Sequence, residues 1–246
     1  MTGAFLNALG ILLGGLFGLA LRRPLSVRVQ LFFRSTLGLF TVFFGLRLVW
    51  LSLNGTFLSG LKQIFVALLA IIVGNLSGQL LGLQNISNRL GRYAGNIMAA
   101  GRPDARQKKG DGFSACAVLF CVAPLGLVGA VADGLSNYFY LLAVKAVMDG
   151  LATLGSVKTL GWPAALSAFP VFLFLGVITL ACRVYAVPFL AWHSTGGDDL
   201  ANSVNIVAGL VSCAVAVVIF QVRKVELANY LPGLVVAPLL TWLFAH

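Results

Sequence analysis

Lys145 and Asp149, set four residues apart in an otherwise apolar stretch, are the residues of this sequence best placed to do chemistry. At that spacing they share one helical face and can pair directly. An ionisable side chain near the centre of a bilayer costs several kcal/mol unless it is paired or hydrated, so both need a reason to be there. Two readings stand. Either they neutralise each other as a packing device, or Asp149 binds a cation or proton while Lys145 acts as the competing internal cation or as a ligand for an anionic solute. Asp133 comes 16 residues before Asp149, about 24 Å along a helix, too far to share a site within one straight helix. It reads as a residue at the external mouth or, with Gly134 and Asn137, as the turn and cap into the next helix.

Pro124 and Gly126 sit inside the apolar run before that pair, with Gly129 three residues on. Proline in a helix interior removes a hydrogen bond and kinks the chain. A discontinuous helix leaves backbone N–H and C=O groups free to bind ions or small anions, as in many secondary transporters; the alternative is a kink made for packing. Asn7, Asn75, Gln79 and Asn205 add neutral polar groups within apolar runs, as helix glue or as the lining of a hydrated path. Arg47 reads as a snorkelling residue, whereas Arg183 lies closer to mid-span. His193 and His246 have no neighbouring ligand set, and the sequence holds no HExxH, GxSxG or Walker pattern. The expectation is no metal, no cofactor and no enzymatic activity. The segment from Gly110 to Ala115 formally fits a dinucleotide fingerprint, but no strand precedes it and no βαβ unit can be drawn around it.

The elements that must position these residues are membrane helices. Of the 246 residues 59% are hydrophobic and 10% charged, against roughly 45–50% and about 25% in an ordinary soluble domain, and the mean hydropathy is +0.97. A water-soluble globule is excluded. The apolar runs predict an all-α transmembrane bundle of eight spans, at about 2–21, 35–53, 64–83, 113–132, 137–157, 163–191, 200–221 and 230–245. The fourth is kinked or broken. The whole chain reads as one transmembrane domain: an N-terminal three-helix section (residues 1–83), a basic loop with an interfacial helix (residues 84–112), and a C-terminal five-helix section (residues 113–246). Alternate threading puts Arg22, Arg23, Arg28, Arg34, Arg89, Arg92, Arg102, Arg106, Lys108, Lys109, Lys158, Arg223 and Lys224 on one side. The positive-inside rule makes that side cytoplasmic and both termini external. The net charge of +10 is thus a matter of topology, and no nucleic-acid partner is expected. Trp50, Trp162, Trp192 and Trp242 fall near helix ends, where an indole suits the interface.

Within 84–112, Gln84 to Ala99 reads as an amphipathic helix with Ile86, Leu90, Tyr93 and Ile97 on one side, lying on anionic lipid or docking a ligand or partner, followed by a mobile tip. Gly10, Gly14 and Gly18 in the first span, and Gly74, Gly78 and Gly82 in the third, repeat as small-xxx-small patterns that let backbones approach closely, to each other or to a second subunit in a homo-oligomer. Cys116, Cys121, Cys182 and Cys213 lack CxxC spacing and read as small buried hydrophobes.

Several segments resemble the YdfK/YqgA-like family of bacterial inner-membrane proteins. They are Gly3 to Gly15, Phe120 to Gly134, Lys145 to Gly150, Thr195 to Gly197 and Val225 to Pro238. The sequence departs from that pattern at Asp198 and Asp199, where acids follow the glycines in place of apolar residues. The resemblance implies a multi-pass protein of the inner membrane, described as a candidate transporter without an established substrate. Together with the residues it sets the functional expectation: a secondary transporter or channel for a small solute or ion, whose site holds Asp149, Lys145, Pro124, Gly126, Asp133, Asn75 and Asn205. The alternatives are a non-transporting scaffold or regulatory subunit and, third, a membrane-embedded enzyme acting on lipid.

Overall fold

The computed structural model describes residues 1–21, 26–100, 111–193 and 199–245. Arg22, Arg23, the tip of the basic loop and the turn from Thr195 to Asp198 lie outside the described residues. Among the described residues there is no strand. The helices are α1 (Thr2–Ala20), α2 (Val27–Ser52), α3 (Phe57–Leu80), α4 (Leu83–Ala100), α5 (Asp111–Val122), α6 (Pro124–Ser136), α7 (Tyr140–Leu160), α8 (Ala168–Ala181), α9 (Val187–His193), α10 (Asp199–Ile219) and α11 (Gly233–Ala245).

Local chemistry explains the boundaries. The Ser26 hydroxyl accepts from the Val29 N–H at 3.4 Å, capping α2. Pro124 has no N–H to give to the preceding turn and takes the first position of α6, so the fourth span breaks at Ala123 and bends by 60°. Asn137 ends α6 in the left-handed conformation at φ 56°. The sixth span is one long run, Trp162–His193, that starts as a 3-10 turn and carries a π-helical segment at Cys182–Ala186. A 3-10 turn, Leu227–Tyr230, and Pro232 precede α11.

The contacts between helices agree with eight alternating crossings. Gly10, Gly14 and Gly18 of α1 meet Ala146, Gly150 and Leu154 of α7 in rising order, so these two run parallel, as a first and a fifth span must. Gly38 and Gly45 of α2 meet Phe220 and Gly209, and Gly74 and Gly78 of α3 meet Gly233 and Asn229, both in falling order and therefore antiparallel. Gly112, at the start of α5, lies against Leu160, whereas Gly129 of α6 lies against Leu142. The bent pair thus travels the length of α7, which makes it a broken span rather than a re-entrant loop. It contributes to both cores of the bundle: Leu125 and Val128 to the one that includes Leu48, Ala67, Ile206 and Val211, and Phe120 and Ala130 to the one that includes Ile11, Leu142 and Leu175. Large apolar side chains point outward, Trp50, Phe57 and Leu80 among them, as lipid-facing surface does.

Several expectations need correction. The fourth helix continues through Asp133 to Ser136, so Asp133 is not the turn into the next helix; Asn137 has that role. The glycine stripes find their partners inside the chain, α7 for α1 and α11 for α3, not each other. Gly82 packs no helix. It sits at φ +64°, just past the end of α3, where a Cβ would meet only Asn85 Nδ2 at 3.8 Å and a left-handed residue turns the chain into α4. The amphipathic helix forms as α4 with Ile86, Leu90 and Tyr93 exposed, whereas Ile97 turns from them and, beside the buried Ala94, packs against the bundle.

Candidate functional site

Asp149 lies near the middle of α7 and Lys145 one turn nearer its start, and the helical repeat brings their heads together. The Lys145 ammonium donates to Asp149 Oδ2 as an ion pair. The same oxygen accepts from Asn7 Nδ2 of α1 at 3.1 Å. Lys145 is 1% exposed, Asp149 7% and Asn7 0%, so three polar side chains from two helices form one buried cluster. What brings Asn7 there is the glycine stripe. A Cβ on Gly10 or Gly14 would collide with the backbone of Ala146 or Gly150, so only glycine allows α1 close enough for a short amide to reach Asp149.

The broken span supplies the other wall. A Cβ on Gly126 would meet Lys145 Cε at 2.7 Å, so the lysine stem fills the space that glycine leaves on α6. The ammonium stands 5.9 Å from the centre of the Phe120 ring on α5, within cation–π range. The pair therefore lies against the break itself, where the last carbonyls of α5 and the first N–H groups of α6 have lost their helical partners. Gly126 N–H recovers one bond, to the Ala123 carbonyl at 2.9 Å.

Polar capacity is left over in the cluster. Asn7 spends its amide nitrogen on Asp149, which fixes the orientation of the group, and its Oδ1 is buried without a hydrogen-bond partner. Leaving a buried acceptor unpaired costs on the order of 1–3 kcal/mol, a cost that a cation, a water or a donor group on a solute would remove. A groove of about 720 Å³ runs between α4 and the break, lined by Asn88, Arg92, Gly95 and Asn96 on one side and by Val122 and Pro124 on the other. The polar side of α4 thus faces the broken span.

The remaining expected residues sit elsewhere. Asp133 is 1% exposed at the far end of α6, where it accepts from the Gly3 N–H at 3.1 Å and lies 3.2 Å from the Met1 amine. It caps the start of α1, with favourable charge for a helix N-terminus. Asn205 of α10 lines a small cavity with Ser136 and Asn202, and its Oδ1 is likewise buried without a partner. Asn75 stands on α3 next to Gly74, the residue that meets Gly233 of α11. Neither Asn75 nor Asn205 bonds to the pair, whereas Asn7 and Phe120 complete the cluster. Asn7 stands out in the sequence as a polar residue in an apolar run, but nothing local ties it to a carboxylate 142 positions away.

The model of a protein family of unknown function (DUF554) matches residues 2–242. The uncharacterized membrane protein YdfK of Bacillus subtilis (strain 168) is 23% identical over 239 residues, covering 97% of this chain and 94% of its own length. The uncharacterized protein YqgA of Escherichia coli (strain K12) is 27% identical over 238 residues, covering 96% and 94%. No solved structure matches.

Proposed function

This chain belongs to the DUF554 family, and on that premise we propose that it moves a small solute or ion across the membrane, without a chemical step, through the cluster of Lys145, Asp149 and Asn7 at the broken fourth span. The observation that carries the reading is that a buried ion pair, an unpartnered amide oxygen and a break within a span occupy one place in the bundle. Packing alone calls for none of the three together. In the closed arrangement Asp149 neutralises Lys145. An arriving solute that pairs with one of the two frees the other, and the half-helix ends supply bonds to it without a desolvation penalty of their own. The positive end of α6 and the Lys145 ammonium favour an anionic or polar solute there. The groove beside α4 offers the approach, with the Arg92 guanidinium and two amides on its wall.

Among the described residues Arg28, Arg34, Arg89, Arg92, Lys158, Arg223 and Lys224 gather at the α4 end; by the positive-inside rule we read that end as cytoplasmic and both termini as external. The glycine stripes that suggested a scaffold or a homo-oligomer are used within the chain, so nothing specific favours those readings over transport.

Flux into proteoliposomes, across a panel of ions and small metabolites, tests the proposal. Wild type is expected to carry at least one of them, Asp149→Asn and Lys145→Met to lose it, and Gly95→Phe, which fills the groove, to slow it. Absence of flux for every solute, or equal flux in wild type and Asp149→Asn, overturns the reading. A reporter fused after His246 is expected on the outside of the cell.

A further inference from the structure

A cleft of about 790 Å³ stands apart from the transport site. It lies between the first turns of α2 and the second half of α7, two helices that touch only sparsely along their length. Its inner walls are apolar, with Leu37 on α2 and Met148 and Leu151 on α7. Arg34 of α2 and Lys158 of α7 stand on its walls towards the α4 end, with Gln30 near them, and among the described residues no acidic side chain lines it. The Arg34 Nε donates to the Ile219 carbonyl at the end of α10 at 2.5 Å. That bond anchors the guanidinium at the wall and leaves its terminal nitrogens free of it. Because α2 is 26 residues long, roughly 39 Å against a hydrocarbon core of about 30 Å, its first turns overhang the apolar layer, and Arg34 stands near the level of the headgroups.

We propose that this cleft is a binding site for one anionic phospholipid of the cytoplasmic leaflet, its phosphate held between Arg34 and Lys158 and an acyl chain lying along α7. From Lys158 to Met148 the cleft follows ten residues of α7, about 15 Å, the depth of one leaflet. A site that is cationic at the headgroup level and apolar below it is complementary to a lipid along its whole length. A soluble anion would use only the rim. Gly155 opens the wall of α7: a Cβ built there meets nothing within 4 Å. A large side chain at 155 therefore fills the acyl channel without a clash in the bundle. The proposal is independent of what Lys145 and Asp149 do.

The test uses purified full-length protein, delipidated in detergent and titrated with mixed micelles of phosphatidylglycerol, cardiolipin or phosphatidylcholine, with retained lipid read by native mass spectrometry and stability by thermal unfolding. Wild type is expected to retain an anionic phospholipid and to melt at a higher temperature with it, but not with phosphatidylcholine. Arg34→Gln and Lys158→Gln are each expected to weaken retention about fivefold, one basic contact apiece. Gly155→Phe is expected to abolish retention while circular dichroism and the melting temperature without lipid stay at wild-type values. Equal retention of phosphatidylcholine, unchanged retention in the Arg34→Gln, Lys158→Gln double variant, or the same thermal shift from inorganic phosphate alone would overturn the assignment.

Discussion

Two helix pairs in this bundle are built on the same sequence device and come out differently. In α1–α7 and in α3–α11, glycines four apart let backbones touch, and a buried asparagine lies at each contact: Asn7 at 0% exposure in the first, Asn229 at 2% in the second. Asn229 is satisfied on both sides. Its Oδ1 accepts from the Gln84 N–H at 3.1 Å and its Nδ2 donates to Glu226 at 2.8 Å, while Gln84 returns a bond from the Ala228 N–H. Asn7 is satisfied on one side only, beside a buried ion pair. A closed network ties a turn to a helix, whereas an unfinished one keeps room for something that comes and goes. The glycine pattern says that helices will meet; the unpaired oxygen separates a joint from a site.

The largest effect expected from this contrast follows removal of one charge. Asp149→Ala or Lys145→Ala leaves the other charge buried alone and is expected to cost about 3–5 kcal/mol in unfolding measurements in detergent. The double change Lys145→Met with Asp149→Leu recovers most of that while flux stays lost. If the double variant loses as much as the sum of the singles, the two side chains are not coupled. Next come the glycines. Gly14→Leu and Gly78→Leu each force a packed backbone apart and are expected to lose about 1–3 kcal/mol or more, but only Gly14→Leu, by pulling Asn7 off Asp149, is expected to lower flux. Equal behaviour in that assay removes the distinction between the two pairs. Gly82→Ala, strained only by its positive φ, is expected to cost about 1 kcal/mol.

Asn7→Ala is the sharper of the asparagine changes. It removes one bond and one unpaired oxygen together, so its stability loss is expected to fall below that of Asn229→Ala, which breaks two satisfied bonds. The smallest effect lies outside both pairs and calibrates the assays. Tyr138, between α6 and α7, donates its hydroxyl to the Phe44 carbonyl at 2.8 Å. Burial, opposed by the nearby Arg47 charge, pushes its phenol up to about 12. A phenol whose folded value is raised stabilises fully below the ordinary value near 10 and loses that contribution as pH climbs towards 12. The stability gap between wild type and Tyr138→Phe is therefore expected to hold to about pH 10 and to narrow above it.

Much of the bundle is legible in the sequence, for one physical reason: a chain in lipid must bury its backbone polarity in helices of fixed minimum length, so apolar runs mark the spans directly. Pro124 announces the break because a missing N–H acts locally. The Lys145–Asp149 pairing is readable from the helical repeat. The sequence does not tie Asn7 to that site, and it suggests a turn at Asp133 where the helix in fact continues, for a common reason. Both residues act on partners more than a hundred positions away, Asp149 and Gly3, and such meetings are set by which glycine face meets which helix. The orientation of α4 is likewise out of reach, because an amphipathic pattern says that two faces differ but not which one turns towards the bundle.

The bend in the fourth span has a mechanical side. Its arms, Gly112–Val122 and Pro124–Ser136, meet at 60°, which gives an end-to-end reach of roughly 31 Å where a straight rod of the same residues would measure about 36 Å. In a bilayer with about 30 Å of hydrocarbon the folded form already just fits. A thicker membrane rewards straightening and a thinner one rewards folding, and the hinge through which either force is transmitted lies three residues from the glycine on which Lys145 rests. A change in lipid chain length therefore loads this bend, next to the buried lysine, before it loads the straight spans.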